Sequence, residues 1–158
     1  MDKQMNLLDI DVKEAALGFG DDEWDPPSSF PDLTGYDRIA IDLETRDPNL
    51  MKLGPGWCRN DGYVIGYAVA AGDFVGYYPV RHEDGNLPES LVVNWLKKQM
   101  ATPKIEKVMH NAMYDLGWMR WAGIEVQGPI IDTMIAAPLL NENRRYYNLN
   151  CLTGEYLG

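Results

Sequence analysis

The segment Arg38-Ile39-Ala40-Ile41-Asp42-Leu43-Glu44-Thr45 constrains the fold of this chain more than any other. Its apolar residues predict a buried β-strand over roughly 37–43 that runs out into two carboxylates. Side chains alternate along a strand, so Asp42 and Glu44 point to one side and Leu43 to the other. Two acids at the end of an apolar strand are costly to bury without a positive partner, and a divalent metal is the simplest one. A strand running into an ordinary solvated turn reads the same residues equally well. The rest of the chain has to decide between the two.

A length of 158 residues suits one domain with a substantial core. No apolar run approaches the length of a bilayer span, and Met1-Asp2-Lys3-Gln4-Met5-Asn6 does not begin a secretory signal. Cys58 and Cys151 lie far apart without metal-ligand spacing. They are expected as free thiols in a reducing cytoplasm. The net charge of −10 is concentrated at the start: residues 1–35 hold nine acids and two lysines, whereas residues 36–158 hold 15 acids and 12 bases. The second part is nearly neutral, which argues against tight, metal-free, non-specific duplex binding. It leaves room for a nucleic-acid substrate if carboxylates hold metal ions.

Residues 1–20 carry a weak helical pattern (Leu7, Leu8, Ile10, Leu17). Residues 21–31 are acidic and proline-rich, an extended lead-in that Trp24 and Phe30 would pin to the core. The loop at 46–61 is too rich in Pro, Gly and Asn for a regular element. Residues 62–70 and 74–80 read as antiparallel strands joined at Ala71-Gly72-Asp73, completing a meander with the first strand. Pro88 opens a helix to about Met100, with Leu91, Val92, Trp95 and Leu96 on one stripe. Then come a short strand at 104–110, a helix at about 112–121 and an extended piece at 123–126. A helix started by Asp132-Thr133 and bent at Pro138, and a last one capped by Asn148, complete the chain. Trp118 and Trp121 read as core, and His110 as a strand-end residue with a satisfied hydrogen bond. This order predicts an α/β fold.

In His110-Asn111-Ala112-Met113-Tyr114-Asp115, a polar pair ends a buried strand and a third carboxylate follows within one helical turn. Asn111 and Asp115 are four apart and can share a face. An acid that merely complements the helix dipole would explain Asp115 by itself. In order along the chain, Asp42-Leu43-Glu44-Thr45 matches an Asp-x-Glu motif, and Asn111 to Asp115 matches Asn-x-x-x-Asp with an aromatic before the Asp. The intervening elements, the Asp132-Thr133 helix start and the closing run from Tyr147 to Gly158 fit the same pattern. Over about residues 36–158 the chain resembles the 3′–5′ exonuclease domain of family A DNA polymerases, the bacterial polymerase I type and its phage relatives, in the DEDD exonuclease superfamily. The resemblance implies a ribonuclease H-like fold, in which an antiparallel three-strand meander continues into parallel strands and helices flank the sheet. Residues 1–35 would be a lead-in to it.

The same resemblance implies hydrolysis of the last phosphodiester at the 3′ end of single-stranded DNA, with two Mg²⁺ or Mn²⁺ ions. Asp42 would bridge both ions, Glu44 would bind the one that activates water, and Asp115 would hold the second largely through water. Thr45, Asn111 and Tyr114 would contact the terminal nucleotides, Tyr114 offering its ring to a base. Arg144 and Arg145 read either as phosphate contacts or as solvated loop charge. The family's third motif, Tyr-x-x-x-Asp, has no match after Asp115. Asp132 is expected as a helix cap and Glu155 as a surface residue. The third motif would come from a polymerase domain or a second chain, and the face left without its helix would be apolar and favour a homodimer or partner. The competing reading is a non-catalytic module that binds single strands, or a replication or host protein, through the same cleft.

Overall fold

The computed structural model describes residues 25–157. The helical pattern at 1–20 and Trp24 lie outside these. Five strands form one mixed sheet: β1 (Arg38–Arg46), β2 (Tyr63–Ala71), β3 (Phe74–Pro79), β4 (Glu106–Met109) and β5 (Ile130–Asp132). Their spatial order is β3-β2-β1-β4-β5. The β1–β2 and β2–β3 pairs are antiparallel, whereas β4 and β5 are added in parallel. The meander and the mixed sheet are as the sequence predicts.

Five helices are described: a single turn α1 (Leu50–Leu53), α2 (Glu89–Met100), α3 (Ala112–Trp121), α4 (Thr133–Leu140) and α5 (Leu149–Tyr156). In β1 the odd positions Ile39, Ile41 and Leu43 are buried, opposite Tyr67 and Val69 of β2. They join Trp118, Met119, Val92, Leu96 and Met100 of the helices in one core. Burial of these side chains is the main stabilising term. Phe30 stacks on Tyr78 with ring centroids 5.5 Å apart, and Trp95 Nε1 donates to Pro31 O at 2.7 Å, so the lead-in is pinned as expected.

Four expectations are corrected. The loop at 46–61 holds α1 and a 3₁₀ turn (Gly56–Cys58), because tertiary packing organises what local propensity does not. Trp57 lies where a side chain at Gly117 would stand, and Trp121 Nε1 donates to Asn60 Oδ1 at 2.8 Å. Trp121 is therefore only half-buried. Leu91 is 53% exposed, and α2 instead buries Val92, Trp95, Leu96, Gln99 and Met100. Gln99 earns its buried place by accepting from Leu33 N–H at 2.9 Å. The extended piece at 123–126 is not a strand, and the fifth strand begins at Ile130.

Lys107 of β4 is wholly buried, with Nζ donating to the carbonyls of Thr102, Ile105 and Gln127. Burial lowers its pKa. Asn148 caps α5 by accepting from Cys151 N–H at 2.9 Å, and Cys58 and Cys151 are free thiols, as expected. Helix α4 carries Ile135, Leu139 and Leu140 in the open, with Leu139 84% exposed. Among the described residues, no helix is long and apolar enough to cross a membrane.

Candidate active site

The face of the sheet opposite the Ile39-Ile41-Leu43 row carries Asp42 and Glu44. In register, Asp42 stands opposite Ala68 and Glu44 opposite Gly66. A register shift between Glu44 and Thr45 ends the regular ladder there. The displaced Ile65 carbonyl accepts from the N–H groups of Val80 and Arg81 at 2.8 and 3.0 Å. Bulges of this kind re-aim side chains and terminate pairing.

The second motif enters from β4. Asn111 adopts a left-handed conformation (φ 65°, ψ 51°), an uncommon one that asparagine tolerates better than most residues. It turns the chain from β4 into α3, whose fourth residue is Asp115. Asp132 holds this turn. Its Oδ1 accepts from Asn111 N–H at 3.0 Å and its Oδ2 from Ala112 N–H at 2.8 Å, while Oδ1 also accepts from Met134 N–H at 2.9 Å. One carboxylate thus caps α4, as the sequence predicts, and also the start of α3, which it does not. Thr133 Oγ1 donates to Met109 O at 3.2 Å and so is left to accept from His110 Nδ1 at 2.9 Å. His110 has that expected hydrogen bond, but its Nε2 is buried without a partner. Replacing Asp132 with Ala strands three helix-start N–H groups, and urea unfolding is expected to show a loss of about 1–3 kcal/mol. Faster amide exchange at Ala112 would accompany it.

The three carboxyl groups sense one another. Burial raises the Asp42 pKa above its ordinary value, although Asp42 keeps contact with solvent, and the His110 charge opposes that rise. Burial and then the Asp42 charge raise Glu44, against the His82 charge. Asp115 is 3% exposed. Its pKa is pushed up to about 8, by desolvation first and then by the charges of Asp42 and Asp132. Asp42 is the group common to both pairs. Among the described residues, no three His, Cys, Asp or Glu side chains converge closely enough to hold a metal ion as they stand.

Of the other residues singled out by sequence, Thr45 and Tyr114 meet: their hydroxyls lie 2.9 Å apart, and Tyr114 Oη donates to Asp47 Oδ2 at 3.1 Å. Arg144 is engaged elsewhere, pairing with Glu155 and lying over the Tyr156 ring. Arg145 lies over Tyr146.

A 3′–5′ exonuclease family model, that of family A DNA polymerases, matches residues 28–158. The chain belongs to this 3′–5′ exonuclease family. A DNA-directed DNA polymerase of Pseudomonas phage M6 is 39% identical over 141 residues, which are 85% of this chain and 21% of that polymerase. The chain thus spans about a fifth of the length of that curated relative. Among solved structures, Brucella melitensis NrnC with bound Mg²⁺ superimposes with a TM-score of 0.60 at 22% identity, over 84% of this chain and 59% of NrnC. The Pol1 POL domain from M. smegmatis, in complex with DNA primer-template and dNTP, gives 0.56 at 21% identity, over 77% of this chain and 19% of that one. These neighbours share the fold, and with the mixed five-strand sheet they make this exonuclease domain ribonuclease H-like.

Proposed function

We propose that this exonuclease domain hydrolyses the terminal phosphodiester at the 3′ end of single-stranded or frayed DNA, with Mg²⁺ or Mn²⁺ held by Asp42, Glu44 and Asp115. The observation that carries this is the Asp42 charge raising the pKa of both Glu44 and Asp115. Such mutual repulsion is relieved by a hard cation, and carboxylate oxygens are the donors Mg²⁺ and Mn²⁺ prefer. Bound divalent ions supply Lewis-acid stabilisation of an in-line displacement at phosphorus.

The chain's own residues provide the frame. Asp42 sits between the other two carboxylates electrostatically. Asn111, exposed in its left-handed turn, directly precedes the helix that carries Asp115, and in this reading it contacts the terminal nucleotides. Tyr114 has its hydroxyl tied to Thr45 and Asp47, so its ring is the part left to a base. Residues 116–158 contain no Tyr-x-x-x-Asp. In this reading the fourth carboxylate comes from chain outside these residues or from a second polypeptide. Residues 1–35 serve as a lead-in, and the open apolar side chains of α4 take a partner.

A 5′-labelled oligonucleotide tests this, incubated with Mn²⁺ and the protein, with and without a polypeptide supplying the third motif. Stepwise shortening from the 3′ end that EDTA stops is the expected result. Binding with no shortening in either arm would favour a non-catalytic single-strand-binding module.

A further inference from the structure

On the site face of the sheet, β2 offers only Gly66, Ala68 and Ala70 between β1 and β3. Ala68 stands opposite Asp42 on one side and Tyr77 of β3 on the other, so Asp42, Ala68 and Tyr77 form one row. Gly66 is paired directly with Glu44. The place that a Cβ at residue 66 would take is filled by the Tyr77 hydroxyl. Side chains of directly opposed residues start about 4.5–5.5 Å apart. The phenol therefore occupies the cross-strand position facing Glu44, and glycine at 66 is what admits it.

The hydroxyl is held from behind. His82 Nε2 lies 2.6 Å from Tyr77 Oη, with the two rings edge to face at 79°. The His82 backbone is fixed in turn by Asn86, whose side chain accepts from His82 N–H at 2.6 Å and donates to His82 O at 2.8 Å. We propose that Tyr77, held by His82, is a positioning residue for Glu44: His82 Nε2–H donates to the phenol oxygen, and the phenol O–H donates to the Glu44 carboxylate. This rests on the metal-holding role proposed above for Glu44. A carboxylate with one oxygen so oriented presents the other to a cation. Groups placed like this behind a ligand tune its metal affinity.

The test uses the intact chain and two readouts. Free Mn²⁺ measured by electron paramagnetic resonance is expected to show binding weakened by about 10-fold in Tyr77→Phe and in His82→Leu. The double variant should be no weaker than either, and His82→Gln, which keeps a donor, should recover most of the affinity. Unchanged affinity in Tyr77→Phe, or additive losses in the double variant, would overturn the proposal. The second readout needs no metal. Long-range ¹H–¹⁵N correlation should show His82 protonated at Nε2. An unprotonated Nε2 would mean that the phenol donates to His82 instead, and would overturn the relay. A wild type with Nε2–H that binds no Mn²⁺ would retain the relay and sink the metal role of Glu44.

Discussion

Asp115→Asn is expected to melt several degrees above the wild type in metal-free buffer at pH 8, and to lose any stabilisation by Mn²⁺. Asp115 is almost fully buried, and its pKa is pushed up to about 8 in the folded protein against an ordinary 3.8. The folded state therefore binds a proton that the unfolded state has already released. The stability contributed by that proton is fully present below about pH 3.8 and is lost as pH rises through about 8. For a buried group shifted this far the loss is on the order of a few kcal/mol. A domain of this size changes its melting temperature by roughly 2–4 °C per kcal/mol. Asparagine keeps the shape and carries no charge, so its melting curve should lack this fall between pH 4 and 8. Mn²⁺ should do the opposite to wild type and stabilise it more as pH rises, because the ion binds the ionised carboxylate. Equal melting temperatures for the two proteins across that range would show that Asp115 is not a strained acid.

Stabilising the fold by removing a site residue is the usual sign that a constellation is maintained for chemistry. It also explains which parts of the site could be read along the chain. Alternation in β1 was enough to place Asp42 and Glu44 on one face, because that rule is local. The Asn111-to-Asp115 spacing and the Asp132-Thr133 start were legible for the same reason, as one helical turn and one cap. The roles of Asp132 at α3 and of Tyr77 beside Glu44 were not, since they depend on pairings between segments distant in sequence. Tyr77 reaches Glu44 only through the β1–β2–β3 register and the absent side chain at Gly66. A local signal existed for neither, although Gly66 inside a β-branched and aromatic strand was a hint of close approach. Leu91 failed for a related reason. The face of α2 that is covered is the one whose Val92, Leu96 and Met100 join the sheet core, and Gln99 is buried with them because it meets Leu33 N–H. The loop at 46–61 gained structure by packing on α3 and from its own hydrogen bonds, among them those of Arg59 to the carbonyls of Leu53, Gly54 and Pro55.

Asp42→Asn is expected to cut divalent-dependent shortening of a single strand by on the order of 10³-fold, the cost of losing several kcal/mol of transition-state stabilisation. Asp42 should be the most damaging of the three carboxylates to neutralise, because it alone acts on both of the others. The direction of its effect on folding separates chemistry from damage. Removing the Asp42 charge relieves Glu44 and Asp115, so the variant should unfold in urea no more easily than wild type. Its Asp115 should titrate lower, and the fall in stability between pH 4 and 8 should shrink. Thr45→Ala offers a contrast on the same strand: it breaks the contact with Tyr114 Oη, which still has Asp47, and leaves all three carboxylates in place. Its loss should appear mainly as weaker strand binding, with turnover at saturating oligonucleotide little changed. An Asp42→Asn protein that folds normally and still shortens DNA at the wild-type rate would remove Asp42 from the reaction, and with it the residue on which the other two carboxylates depend.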